Sequence, residues 1–220
     1  MTSSTSQIRS VASAAVFFIV ASIALAGETN AKVLYTKSFP GSVPAFVSVE
    51  LHKTGEAVYK EAPDDENPVD FKMSVEDTNE IFALVDKLDR FKRPLESNLK
   101  VANMGMKTFR FEDGAAKNEV KFNFSLDEDA RLLQDWFERI TETQRLHFDL
   151  ERTAKFDRLG VNKTLLQIES AFDRKRLVGV DRFLPLLDRV AKNDSYLHMA
   201  RERAASLADA FRNPKPKTTE

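Results

Sequence analysis

Residues 109–136 read FRFEDGAAKNEVKFNFSLDEDARLLQDW, and within them the hydrophobic pattern changes from a period of two to the period of a helix. Apolar and polar residues alternate on both sides of Asp113-Gly114, which predicts two strands joined by a hairpin. The alternating residues are Phe109, Phe111, Val120, Phe122 and Phe124. Because alternate side chains of a strand share one face, we expect these rings to face a helix.

After Ser125 the helical period continues as far as Arg212. Ser125-x-x-Glu128 has the capping-box pattern and predicts the start of a helix of about 30 residues that stops at Gly160. Its apolar stripe consists of Leu133, Trp136, Ile140, Thr143, His147, Leu150 and Ala154. Three shorter helices should follow, around residues 165–172, 183–190 and 196–211. In the second of these, Asp181 is the expected N-cap and Pro185 lies in the first turn.

The segment before the hairpin has mostly the strand period. Three strands are predicted, over residues 45–52, 57–61 and 69–73, and Thr54-Gly55 forms the reversal between the first two. Ser74 then has the position of an N-cap, and apolar residues at helical spacing predict a helix that ends near Phe91.

Together these patterns predict an α+β protein. An antiparallel sheet of about five strands with one packed helix occupies residues 33–125. A helical region that begins with the long helix occupies residues 126–212, and residues 213–220 form a disordered tail.

The first 26 residues have the pattern of a secretory signal peptide. Arg9 precedes the apolar run Val11–Ala26, which closes on Ala24-Leu25-Ala26. An uncleaved membrane anchor is the alternative, but the run of sixteen residues falls short of the roughly 20 needed to cross a bilayer. We therefore expect cleavage after Ala26 and a periplasmic or secreted protein without a stable transmembrane anchor.

Composition excludes several classes of function. The formal net charge of −1 argues against a nucleic-acid partner, because such proteins normally carry a basic surface excess. The chain has no cysteine and therefore no disulfide, thiol nucleophile or cysteine metal site. Phosphate-binding and dinucleotide-binding glycine patterns are missing as well, so no cofactor is expected.

Metal ligation is not expected either. The three histidines, His52, His147 and His198, fall on a strand, the long helix and the last helix. His147 and Glu151 lie four residues apart, but the chain has no HExxH pattern, and we interpret His147 as part of a helix–helix contact. Residues 64–66 (Asp-Asp-Glu) could attract calcium but lack the EF-hand spacing, which favours a solvated loop.

No catalytic residue can be assigned from the sequence. The serine-nucleophile patterns are missing, and Ser42 in Pro40-Gly41-Ser42 does not stand out. A pair of carboxylates acting as acid and base stays open as an alternative among the 34 acidic residues. The cationic positions 174–176, 201 and 203 are interpreted as solvated helix faces rather than an anion site.

One resemblance covers residues of about 35–90. The segment SFPGSVPAF at residues 38–46, followed by an alternating strand, a turn and Val58-Tyr59, resembles the opening of small β-rich domains in uncharacterised bacterial secreted proteins. In these domains a G-S/C-x-P-x-Y/F motif precedes strand, turn and strand. The resemblance implies an exported α+β protein of bacterial type and transfers no catalytic residue.

These observations favour a non-enzymatic binding or interaction module of the cell envelope, with the long helix contacting a protein or another envelope component. The alternative is a carboxylate-dependent hydrolase that acts on an envelope polymer and requires a cleft lined by acids. A homodimer formed through the long helix is a third possibility.

Overall fold

The computed structural model describes residues 30–213, and the signal-peptide prediction and most of the predicted tail lie outside this range. Within it the chain forms an antiparallel sheet and five α-helices, which confirms the α+β class. No helix of the described range is long and apolar enough to cross a bilayer.

The described sheet has six strands in the order β4-β3-β2-β1-β5-β6, and every neighbouring pair is antiparallel. The strands are β1 (Lys32–Ser38), β2 (Phe46–His52), β3 (Glu56–Lys60), β4 (Val69–Lys72), β5 (Met106–Asp113) and β6 (Ala116–Phe122). At the turn between β2 and β3, Gly55 has a φ of +90°. A Cβ there would lie 2.9 Å from the carbonyl oxygen of Met73, which explains the glycine.

The strand that alternation alone does not predict is β1, which lies in the middle of the sheet between β2 and β5. Its inward residues Val33 and Tyr35 are fully buried. The pattern is obscured because Leu34 is apolar on the opposite face and Lys37 is charged on the inward face. The sheet therefore has six strands instead of about five.

The helices are α1 (Val75–Lys87), α2 (Glu128–Phe156), α3 (Val161–Asp173), α4 (Leu184–Lys192) and α5 (His198–Arg212). Short 3₁₀ turns occur at Asp89–Phe91 and Val180–Phe183. α1 begins as predicted, because the Ser74 Oγ accepts the N–H of Asp77 at 3.0 Å. It then ends before Phe91, at Lys87.

Three details of the helical prediction are wrong. The N-cap of α2 is Asp127, whose carboxylate accepts the N–H of Ala130 at 3.1 Å, while Ser125 accepts the N–H of Asp127. α2 ends at Phe156, and Gly160 instead precedes the first residue of α3. Asp181 lies in the 3₁₀ turn before α4, although Pro185 does occupy the first turn of that helix. Only the start of α2 has a replacement side-chain cap, whereas α3 and α4 begin without one.

Two hydrophobic cores lie along α2. The first core lies between one face of the sheet, α1 and the N-terminal half of α2. Phe109 is fully buried in it, with its ring centroid 5.2 Å from the centroids of both Phe91 and Phe122. The predicted aromatic face therefore meets the helices. The second core lies between the C-terminal end of α2 and α3, α4 and α5.

The opposite face of the sheet carries ion pairs. Lys32 lies 3.2 Å from Glu50 and 3.4 Å from Glu112, so it links three strands. Arg110 and Glu119 pair across β5 and β6. The paired side chains are 27–32 % exposed, and ion pairs in contact with solvent stabilise a fold weakly.

Candidate functional site

A cleft of about 700 Å³ lies where α2 leaves the sheet and joins the helical core. The end of β1, the start of β2 and the hairpin between them form one wall, and α2 and α3 form the other. A concave site of this volume falls within the roughly 300–1,000 Å³ of typical ligand pockets. It is therefore the candidate functional site of the described chain.

Tyr35 lies at the floor of this cleft. Its side chain is fully buried, and its ring stacks on Phe137 with a centroid distance of 5.0 Å and an interplanar angle of 8°. No atom of residues 30–213 forms a hydrogen bond with its hydroxyl oxygen. Burial, together with the nearby Glu138 carboxylate, raises the pKa of Tyr35 far above its usual range. The hydroxyl therefore keeps its proton and is a donor as well as an acceptor.

Thr141 provides a second hydroxyl with the same property. It lines the cleft from α2, and its buried Oγ1 forms no hydrogen bond within the described residues. Helical threonines commonly donate to the carbonyl four residues earlier. Thr143 does so to Arg139 at 2.8 Å and Thr153 to Asp149 at 2.7 Å. Thr141, which lines the cleft, does not donate to the carbonyl four residues earlier.

Ion pairs connect the elements that line the cleft. Lys37 on β1 lies 3.3 Å from Glu138 on α2. Arg176, which follows α3, lies 3.0 Å from Glu142 and also pairs with Asp135. The partners in each pair neutralise each other, so they add little net charge to the cleft.

Two further arginines at the rim are less completely paired. Arg145 has 45 % of its side chain exposed and meets Glu61 only at 4.0 Å. Arg174 is 65 % exposed and lies 3.7 Å from Glu142, which is already paired with Arg176. These two guanidinium groups therefore supply most of the accessible positive charge at the rim.

Apolar surface completes the site. Val43 and Pro44 of the hairpin line one side, and Leu146 and Leu166 of the helices line the other. Val43 is 85 % exposed and Leu166 50 % exposed, which is high for large apolar side chains. A ligand in the cleft would cover both.

Lys107, next to Lys37 across the β1–β5 pair, is a buried cation outside the cleft lining. Its Nζ donates to the carbonyl oxygens of Asn123 at 2.6 Å and Gly105 at 3.2 Å. Burial, with the charge of Lys37, lowers the pKa of Lys107. Its hydrogen bonds stay within the protein, so we assign it a structural role.

The histidines do not converge. His52 contacts Glu50 on the sheet at 3.1 Å and His198 contacts Glu202 at 3.2 Å. His147 packs against Phe183 with a centroid distance of 5.3 Å, in agreement with a helix–helix contact. Burial, then the charge of Arg182, lowers the pKa of His147. The described residues contain no group of three potential metal ligands.

The loop that contains the acidic residues 64–66 is held by hydrogen bonds within the loop. The carboxylate of Asp65 accepts the backbone N–H groups of Glu61 and Asn67, each at 3.0 Å. These bonds lower the pKa of Asp65. The Asp65 side chain therefore stabilises a turn by accepting hydrogen bonds from the backbone of the loop.

The interpretation of residues 174–176 as a solvated helix face needs correction. Arg174 and Arg176 follow the end of α3 and line the cleft, because α3 ends at Asp173 and the chain turns back towards α2. Arg201 and Arg203 agree with the interpretation, since they pair with Asp194 and Glu169 on the helical surface.

Sequence reasoning missed the residues of the cleft because no motif marks them. One local signal exists: Glu138, Glu142, Arg145 and Asp149 of α2 follow each other at spacings of four, three and four, with Thr141 next to Glu142. All five residues line the cleft. Such a stripe beside an apolar one is also typical of the solvated face of an amphipathic helix, so it does not by itself identify a cleft.

Comparison with known proteins gives no match, either to a known protein family or to a curated protein. Functional assignment therefore rests on the chemistry of the cleft.

Proposed function

We propose that the protein is an exported, non-enzymatic binding module of the cell envelope and that the cleft is its ligand-binding site. One observation carries the proposal: a single cleft of about 700 Å³ combines exposed apolar side chains, Val43 and Leu166, with the incompletely paired guanidinium groups of Arg145 and Arg174. A ligand in the cleft would cover the apolar surface and pair with the cations.

The lining favours binding over catalysis. Ser42 donates to the carbonyl oxygens of Phe39 at 2.7 Å and Pro44 at 2.6 Å, so its hydroxyl is engaged in the hairpin. The described lining residues include no histidine that could activate a nucleophile. Glu138 and Glu142 are ion-paired, which suits them to orient a ligand.

The envelope location is supported by the sequence alone. The apolar run at residues 11–26 has the signal-peptide pattern, and the segment at residues 38–46 resembles bacterial secreted domains. That segment forms the hairpin wall of the cleft. The sequence predicts that the long helix contacts a protein or another envelope component. In this proposal α2 makes that contact through its residues that line the cleft.

The proposal is tested by identifying the molecule that the purified protein retains. The protein is purified from its native envelope and denatured, and the released molecules are identified by mass spectrometry. Ser170→Trp places an indole in the cleft from an exposed position of α3. Ser206→Trp, on an exposed position of α5 that does not line the cleft, is the matched control.

We expect wild type and Ser206→Trp to release the same compound in stoichiometric amount and Ser170→Trp to release less than about a tenth of it, a loss of at least 1.4 kcal/mol in binding. Equal release from all three proteins, or release of no compound by wild type, would contradict the proposal.

A hydrolase of an envelope polymer is the second candidate. It requires a concave site lined by acids, and Glu138, Glu142 and Asp149 line the cleft. Wild type, Glu138→Gln and the control Glu202→Gln are incubated with purified envelope polymer, and newly formed chain ends are counted. Turnover that only Glu138→Gln abolishes would favour this function, and no turnover by wild type would eliminate it.

A further inference from the structure

Residues 155–163, which form the corner between α2 and α3, expose apolar and cationic side chains together. The apolar ones, Phe156 and Leu159, are 74 % and 75 % exposed. The exposed cations are Lys155, Arg158 and Lys163. We propose that this corner docks on an anionic lipid bilayer, with its apolar side chains among the lipids and its cations at the headgroups. The inference goes beyond the proposed function, because none of these residues lines the cleft.

The cations of the corner are not neutralised by the protein. Arg152, one turn earlier on α2, pairs with Asp149 at 3.1 Å. Within residues 30–213, by contrast, no carboxylate pairs with any of the three cations of the corner. The only carboxylate of the corner, that of Asp157, accepts the N–H of Gly160 at 3.0 Å. Three cations and one anion give the corner a formal charge of +2, which attracts an anionic surface.

The position of Lys163 is unfavourable for the helix that contains it. Lys163 lies in the first turn of α3, which has neither an acidic residue nor a side-chain cap. The N-terminus of a helix carries partial positive charge, so a cation there lowers helix stability. Lys155 lies in the last turn of α2, where the helix dipole favours a cation. Helix stability therefore accounts for Lys155 alone, whereas contact with an anionic surface accounts for both lysines.

The apolar part of the corner lies directly beside its cations. The Nζ of Lys155 is 5.0 Å from the centroid of the Phe156 ring. Met199 of α5, which is 55 % exposed, extends the apolar surface, since its sulfur lies 3.5 Å from the Asn162 side chain at the start of α3. Exposed aromatic and aliphatic side chains next to basic ones are typical of surfaces that bind at the bilayer interface. The apolar groups enter the acyl boundary while the cations stay among the headgroups.

A bilayer matches this corner better than another protein does. Phe156 and Leu159 each expose about three quarters of their surface, so they project into solvent and do not line a groove. Protein interfaces depend on shape complementarity around well-packed pockets, whereas a fluid bilayer accepts side chains that project singly. A second copy of the chain is disfavoured, because two corners of the same charge repel each other.

The first test measures binding to lipid vesicles by flotation. The full chain, as its host processes it, is mixed at low salt with vesicles of phosphatidylcholine alone or with about one third phosphatidylglycerol. We expect the protein to bind the anionic vesicles roughly tenfold more tightly, and added salt should reduce the preference by screening the charges. Equal affinity for the two kinds of vesicle would overturn the inference.

Removing the cations tests whether the corner causes the preference. The triple variant Lys155→Gln/Arg158→Gln/Lys163→Gln should bind both kinds of vesicle equally, because each cation near an anionic surface favours binding. A control variant loses the same charge at three exposed lysines of the sheet and its turns, each replaced by glutamine. These are Lys53, Lys72 and Lys121. The control should keep the preference, and an equal loss in both variants would assign binding to net charge and refute the corner.

Removing the apolar side chains tests their insertion. Phe156→Ser/Leu159→Ser should lower the affinity for the anionic vesicles about tenfold, because less apolar surface leaves water. The urea midpoint of the free protein should not fall, since both side chains are exposed. Val75→Ser/Leu132→Ser, at positions 70 % and 55 % exposed on α1 and α2, is the matched control and should bind as wild type does. Unchanged affinity in the first variant would contradict insertion.

A tryptophan at the corner reports the contact directly. The indole of Phe156→Trp should shift its emission to the blue on vesicle binding, and lipids brominated in the acyl chains should quench it. Trp136 is only 8 % exposed and lies in the first core, so the emission of wild type should not change. Vesicle binding without a change in the Phe156→Trp emission would show that another surface meets the lipids.

Two other occupants of the corner give different results. If wild type is a dimer by analytical ultracentrifugation and Phe156→Ser/Leu159→Ser is a monomer, the corner is an interface between copies and the inference is wrong. If calorimetry shows that soluble polyglutamate binds as tightly as the anionic vesicles, the corner takes an acidic protein segment and the bilayer assignment is wrong. We expect a monomer in both proteins and at least tenfold weaker binding of polyglutamate, because it offers no apolar phase.

Discussion

The two ends of α2 lie in different kinds of core. At the N-terminal end, Phe137 packs against rings from the sheet, including Tyr35 and Phe109, which are register partners on neighbouring strands. At the C-terminal end, Leu150 and Ala154 pack against α3, α4 and α5, which follow closely in sequence. The first core therefore depends on distant segments coming together, and the second depends mostly on local ones.

The difference explains where the cleft lies. Between the two cores, residues 141–149 of α2 belong fully to neither, and the chain places charged and polar side chains there. A single continuous helix spans both cores, so the gap between them is held open by rigid structure. The cleft is a consequence of joining two unlike cores with one helix.

The largest effect is expected from removing a central ring of each core. Phe109→Ala and Phe183→Ala both truncate fully buried side chains and should each lower the free energy of unfolding by about 3–5 kcal/mol. Phe109 should be the more costly, because its ring lies near four other aromatic rings.

Urea unfolding followed by circular dichroism and by Trp136 fluorescence measures both variants. Because α2 is continuous, the two signals should coincide in wild type and in Phe109→Ala. If Phe183→Ala unfolds the C-terminal helices while the Trp136 signal at the sheet end stays native, the two cores unfold separately. They would then be independent folding units.

A smaller effect is expected where the chain after α3 is tied to α2. The Thr143 hydroxyl donates to the carbonyl of Arg139 and accepts the buried N–H of Val178 at 3.1 Å. Thr143→Val leaves that N–H without its partner and should cost about 1–3 kcal/mol. Thr153→Val is the control, because the main bond of Thr153 is to a carbonyl of its own helix. Equal losses measured by urea unfolding would show that the tie to Val178 is unimportant.

The smallest effect is a pH dependence of the helical core. Burial, then Arg182, lowers the pKa of His147 below its value of 6.5 in the unfolded chain. The unfolded state therefore binds more protons between the two pKa values, and stability should fall as the pH drops through about 6.5. His147→Gln should remove this part of the slope, as measured by urea midpoints between about pH 7.5 and pH 5.5. An unchanged slope in the variant would assign the dependence to other groups.

Local signals account for what the sequence predicts correctly. Ser74 caps α1 through a bond to a residue three positions away, and the Asp113-Gly114 hairpin joins neighbouring strands. Such features depend on a few consecutive residues and are visible in the pattern. The long helix was predicted for the same reason, with its start displaced from Ser125 to Asp127.

What could not be predicted depends on distant pairing. β1 becomes a central strand only because β5, some 70 residues later, pairs with it. Tyr35 and Thr141 line the same cleft only once β1 has paired with β5 and α2 has packed against the sheet. The position of Arg174 could not be predicted either. It lines the cleft because α3 ends at Asp173, and the charge of its neighbours in sequence does not indicate this.

The continuous α2 has a consequence for synthesis. A chain that leaves the ribosome N-terminus first completes its last strand at Phe122, but Phe137 and Ile140, which cover the sheet, emerge later. During that interval the rings of Tyr35 and Phe109 face water and other nascent chains. Any delay between the emergence of residue 122 and that of residue 140, from the ribosome or across a membrane, would prolong the period in which the uncovered sheet is prone to aggregate.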